Sequence, residues 1–155
     1  MKSAKKILLL RIALIALLVL IWGNSLLPAT ISSSISDAVG QGLHKLLPFL
    51  PSGTQEASLG FSPLRKLGHF TEFALLGLVL TNLAVQTHPS APIWSRTLLC
   101  GLLIALTDET LQYLSAGRGP MVTDVWIDFS GVLMGFGLVR LLQRRNLWQQ
   151  RKRPD

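Results

Sequence analysis

The sequence predicts an all-α membrane protein: a bundle of about four transmembrane helices with an external amphipathic loop helix and both termini in the cytoplasm. Three observations carry this expectation. Hydrophobic residues make up 49% of the 155 positions and charged residues only 15%, a balance too apolar for an ordinary soluble domain of this size. Apolar runs recur at about 20 residues each, the length that spans a bilayer's hydrocarbon core. The basic residues flank those runs instead of alternating with aromatics along one polar face. The net charge of +7 therefore reads as membrane orientation, with no nucleic-acid partner.

Residues 1–29 form the N-terminal transmembrane segment. Its apolar run, 7–27, is interrupted only by Arg11, one turn beyond Lys6 and able to snorkel to cytoplasmic headgroups. A signal peptide is the rival reading, with Lys2, Lys5 and Lys6 as its basic region. Leu26, Leu27, Pro28 and Ala29 make a poor cleavage site, and the chain emerges outside in either case. Residues 30–66 are an external loop rich in serine. Within it Ile31, Ile35, Val39, Leu43, Leu46, Leu47 and Leu50 recur at helical spacing. They predict a short helix that lies on the outer membrane surface or packs on the bundle, ended by Pro48 and Pro51.

Residues 67–142 hold a three-helix core with spans at about 67–85, 94–114 and 123–142. His88, Pro89, Ser90 and Pro92 supply the first turn and Gly117 to Pro120 the second. Residues 143–155 are a basic cytoplasmic tail. Orientation follows from charge. The termini and the short loop hold Lys2, Lys5, Lys6, Arg11, Arg96, Arg140, Arg144, Arg145, Arg151, Lys152 and Arg153; the other face holds Lys45, Arg65, Lys66 and Arg118. That asymmetry puts both termini inside.

With this topology the polar residues converge on the outer face. His69 and Glu72 open the second span, Asp108, Glu109 and Gln112 close the third, and Asp124 and Asp128 open the fourth, with Arg65, Lys66 and Arg118 beside them. Spacings of three and four put the members of each group on one helix face. Gly101, Ala105, Asp108 and Gln112 form one stripe; Asp124, Asp128, Gly131 and Gly135 form another. The small residues predict close helix contact through a GxxxG spacing, within one chain or between two copies in a homo-oligomer. An acid facing lipid at the bilayer centre costs about 2.5–3.5 kcal/mol on insertion scales, so the acids are expected to point into the bundle.

These ten residues are the candidate ligand-binding set. His69, Glu72, Asp108 and Glu109 are the candidate general bases or ligands of a divalent cation, and Arg118 the holder of a phosphate or carboxylate. A plain alternative is a clamp in which Arg118 and His69 pair with carboxylates to fasten helices. Trp22, Trp94, Trp126 and Trp148 fall at predicted membrane boundaries and read as anchors. Cys100 lies in an apolar run and reads as a packing residue. His44 lies beside Lys45 with no acidic neighbour at useful spacing and His88 sits in the cytoplasmic turn, so both read as solvated.

Over residues 60–140 the chain resembles the VanZ-like family. The resemblance is carried by Arg65-Lys66-Leu67-Gly68-His69-Phe70-Thr71-Glu72-Phe73, Asp108-Glu109-Thr110-Leu111-Gln112, Gly117-Arg118 and Asp124-Val125-Trp126-Ile127-Asp128-Phe129-Ser130-Gly131. Many members of that family carry Asn where Asp128 stands. The resemblance implies a bacterial plasma-membrane protein from a family whose name-giving member is associated with low-level teicoplanin resistance. It leaves two functional classes. One is a protein that binds an anionic envelope lipid or lipid-linked cell-wall precursor at the outer face; the other is an intramembrane enzyme acting on a phosphorylated lipid or glycolipid.

Overall fold

The computed structural model describes residues 2–46, 63–87 and 92–151. These fold into five α-helices: α1 (Lys2–Ser25), α2 (Ala29–Leu46), α3 (Pro63–Thr87), α4 (Ile93–Leu111) and α5 (Val122–Arg151). One 3-10 turn, Gln112–Leu114, follows α4. Within these helices Ala4–Ser25, Leu64–Thr87 and Val122–Arg145 are long and apolar enough to cross a membrane. The expected further span, α4, is set apart by Arg96, Asp108 and Glu109 among its 19 residues. Both acids are buried, so α4 turns its acids into the bundle, while Arg96, Leu99, Leu103 and Leu106 face outward.

Pro28 ends α1, since it has no N–H to donate and pushes Leu27 out of the helical region. It also starts α2, because the Ile31 and Ser32 amides donate to its carbonyl at 3.1 and 3.0 Å. Ile31, Ile35, Val39 and Leu46 are exposed on α2, whereas Ser32 and Gly40 face inward. The apolar stripe of the loop helix thus turns away from the bundle, as a helix lying on a bilayer surface requires. Pro48 and Pro51, expected to end this helix, lie outside the described residues, as does His88.

α3 begins on Pro63, four residues before the expected span, because proline suits the first helical turn. Arg65 and Lys66 are therefore helical residues and not loop residues. At its far end α5 continues as helix to Arg151, so the first part of the basic tail is helical. Polar residues along α3 satisfy themselves on the preceding turn: Thr81 Oγ1 donates to the Gly77 carbonyl at 2.6 Å, and Asn82 Nδ2 to that of Leu78 at 2.8 Å.

The tightest packing is α3 against α5, and glycine makes it. A Cβ on Gly131 would strike the Phe70 carbonyl oxygen, and one on Gly135 that of Ala74. From α3, Gly77 meets the Val132 backbone in the same way, while the Val132 side chain sits on Gly101 of α4. The GxxxG face is thus occupied within the chain, and the oligomer contact expected through Gly131 and Gly135 has no room there. Ile21, Phe73, Leu76, Ala105, Val125 and Val132 form the core around this contact. Phe70 with Gly131 and Ala74 with Gly135 make α3 and α5 parallel. α1 and α4 run the other way, since their C-terminal ends meet the N-terminal end of α3. The start of α1 and the end of α5 therefore lie opposite the polar cluster.

Trp94 and Trp126 are each 63% exposed, as boundary anchors would be. Trp22 instead packs on the core with its indole N–H buried. Cys100 is exposed, not packed: it falls on the outward side of α4, away from the Gly101 and Ala105 stripe.

Candidate functional site

Every helix except α2 contributes to the polar end. From α3, His69 projects inward because Phe73 and Leu76 on the same side belong to the core. Its Nδ1 lies 3.7 Å from Asp108 Oδ2 on α4 and 3.8 Å from Asp128 Oδ1 on α5. All three residues are buried. None of the four carboxylate oxygens of Asp108 and Asp128 makes a hydrogen bond, although each is sealed from solvent. Ser25 and Gln112 face Asp108 at longer range.

Around this centre the remaining acids are committed to partners. Glu109 accepts the Met121 amide with Oε1 and the Gln112 side chain with Oε2 at 3.0 Å, so it ties the end of α4 to the start of α5. Asp124 in the first turn of α5 pairs with Lys66 Nζ at 3.0 Å, and the first-turn position also suits its charge. Glu72 accepts from Asn24 Nδ2 at 3.5 Å, while its other oxygen is buried without a partner. A small cleft beside the centre is lined by Arg65, Lys66, His69, Gln112, Asp124, Ile127 and Asp128.

Arg118 sits in the turn between α4 and α5, next to Gly117, whose φ of 75° places it in the left-handed region that glycine reaches without strain. Its Nη1 donates to the Ser25 carbonyl at 3.3 Å. Nε and Nη2, the two donors on one edge of the guanidinium, are buried without a partner. Burial, and then the like charge of Arg65, push the guanidinium below its ordinary value. Arginine starts so high that it remains a cation at neutral pH.

Two further bonds fasten this turn to the α1–α2 junction: Ser115 Oγ donates to the Leu27 carbonyl at 2.7 Å, and the Ala29 amide to the Ala116 carbonyl at 3.1 Å. This part of the site escaped the sequence reading. Asn24, Ser25 and Ser115 were not among the candidates. The one local signal was a polar Asn24-Ser25 pair closing an apolar run just before a proline.

Residues 10–143 match the VanZ/LLP1 family. The chain belongs to that family. The matched segment contains every residue of the site, including the α1 end that the 60–140 resemblance left out, and its apolar helices make this a VanZ-family membrane protein. No curated protein and no solved structure matches the chain. Within this VanZ-family fold the ten candidate residues share one end of the bundle, in three groups: His69 with Asp108 and Asp128; Glu109 with Gln112; and the cations Arg65, Lys66 and Arg118 around them. Glu72 joins the α1 side, and Asp124 is the partner of Lys66.

Proposed function

We propose that this end of the bundle binds the phosphate-bearing headgroup of an anionic envelope lipid or lipid-linked cell-wall precursor at the outer face of a bacterial plasma membrane. The observation that carries the reading is the Arg118 edge. Its two unpartnered donors are parallel and buried, the arrangement that takes two oxygens of one phosphate or carboxylate. The parallel N-termini of α3 and α5 reinforce it, because both present their positive ends to the same face. The exposed apolar surface of the helices leaves an acyl or polyprenyl chain in lipid while the headgroup lies at the polar end beside Arg118.

Tolerance to teicoplanin is the cellular effect this binding supplies, by shielding or redistributing the lipid-linked target. The test is native mass spectrometry of the purified chain in mild detergent with a polyprenyl phosphate. Arg118→Lys keeps a charge but loses the fork, and it is expected to weaken binding at least tenfold with little change in melting temperature. Teicoplanin susceptibility in a sensitised host should move in parallel. Equal lipid retention by the parent and the variant would sink the reading. A change in the mass of the bound lipid would mark turnover and shift the reading to the intramembrane enzyme.

A further inference from the structure

The buried centre poses a problem that the lipid reading does not solve. Asp108 is 0% exposed and Asp128 1%, and none of their four oxygens makes a hydrogen bond; Ser25 and Gln112 approach Asp108 only at longer range, and nothing comparable among the described residues faces Asp128. Buried polar groups are normally hydrogen-bonded, and an unpaired buried carboxylate is among the most costly groups to carry. Both acids aim at the same point, which the His69 ring also faces, and each of the three comes from a different helix.

We propose that His69 Nδ1, one oxygen of Asp108 and one of Asp128 form the protein's ligand set for a single divalent transition-metal ion, zinc or manganese. The three ligand atoms lie within 4.8 Å of one another. Metal–ligand bonds of about 2.1 Å place neighbouring ligands roughly 3.0–3.4 Å apart, so the observed 3.7 and 3.8 Å from His69 Nδ1 close by a few tenths of an ångström, while the two carboxylate oxygens, within 4.8 Å of each other, close by at most about 1.4–1.8 Å through side-chain rotation. Charge balance agrees. Two carboxylates, a neutral imidazole and a divalent cation sum to zero, the only net charge that a low-dielectric interior accepts cheaply. One nitrogen with two carboxylate oxygens is a donor set of intermediate hardness, which favours zinc and manganese over calcium and over soft copper(I). Three protein ligands leave at least one coordination position, and the neighbouring cleft gives a water or substrate oxygen access to it. The inference does not depend on lipid binding, because all three ligands belong to the chain itself and the acid oxygens lack hydrogen bonds without any lipid.

The experiment uses the full chain without an affinity tag, stripped by chelator in detergent. It is then titrated separately with Mn²⁺, followed by electron paramagnetic resonance, with Co²⁺, followed by visible absorption, and with Zn²⁺, followed by calorimetry. One saturable ion per chain is expected, and a rise in melting temperature of about 5 °C or more at hundredfold excess over Kd. Asp128→Asn and His69→Gln should each weaken binding at least tenfold, and Asp37→Asn on α2 should leave it unchanged. Without metal, Asp128→Asn should melt no lower than the parent, since it removes an uncompensated buried charge. Absence of saturable binding to the unaltered chain overturns the proposal whatever the variants do. Unchanged affinity in Asp128→Asn places the ion elsewhere and overturns it equally.

Discussion

A single methyl group at Gly135 is expected to lower the stability of the whole bundle. The added Cβ would overlap the Ala74 carbonyl oxygen and lie 2.7 Å from the Leu78 amide nitrogen and 3.0 Å from the Gly77 carbonyl carbon. All three atoms are backbone of α3, so no rotamer change relieves the contact, and α5 must withdraw by roughly 1 Å to restore ordinary packing. Overpacking of this kind costs about 1–3 kcal/mol. Alanine's better helix propensity returns up to about 1 kcal/mol. The net loss of about 1–2 kcal/mol corresponds to a melting temperature lower by roughly 2–8 °C for a chain of this length. Gly137→Ala is the matched control: it lies two residues further along the same helix, is exposed, and has nothing within 4 Å of its Cβ. It should be neutral or slightly stabilising. Thermal melting of both variants in one detergent compares them directly. A Gly135→Ala protein that melts as high as Gly137→Ala would refute the close contact between α3 and α5.

Three further outcomes follow from the same geometry. Ser115→Ala removes the bond to the Leu27 carbonyl and should lower stability by about 0.5–1.5 kcal/mol, read as an earlier melt with unchanged helix content. A double-mutant cycle on Lys66→Met and Asp124→Asn should give a coupling of about 1 kcal/mol or more, because both side chains are mostly buried; a value near zero would make the pair an exposed ornament. In a Cys100→Ser background, Ser52→Cys should react with an impermeant thiol reagent in intact cells and Arg151→Cys should not; labelling of the second would invert the orientation drawn from the basic residues.

Most of the site was legible because helical spacing is a strong constraint. Asp108 four residues before Gln112, and Asp128 three before Gly131, had to share faces with small residues, and a face of small residues in an apolar helix packs on another helix. The partners were less legible. Periodicity says that Asp128 points inward; it does not say that His69 lies opposite, since that depends on the parallel register of α3 and α5 set by Gly77 as much as by Gly131 and Gly135. The clamp alternative has Arg118 meeting an acid; Nη1 instead donates to the Ser25 carbonyl, a backbone acceptor that leaves no trace in residue identity. Helix ends were off for a related reason: hydropathy marks where lipid stops, and α3 and α5 continue into polar surroundings. Cys100 was misplaced because an apolar run shows no inside when both lipid and core are apolar.

The fastening of the α4–α5 turn to the α1–α2 junction bears on how the protein is made. Asn24, Ser25 and Leu27 leave the ribosome early, but their partners Glu72, Arg118 and Ser115 belong to later segments, and Asp128 comes later still. Helices inserted in order must wait in the bilayer with exposed polar ends until the last one arrives. The polar end is therefore completed only at the final step of insertion. A chain that stalls before α5 has an anchor but no closed α4–α5 turn, no Lys66–Asp124 pair and no Asp128 beside His69 and Asp108.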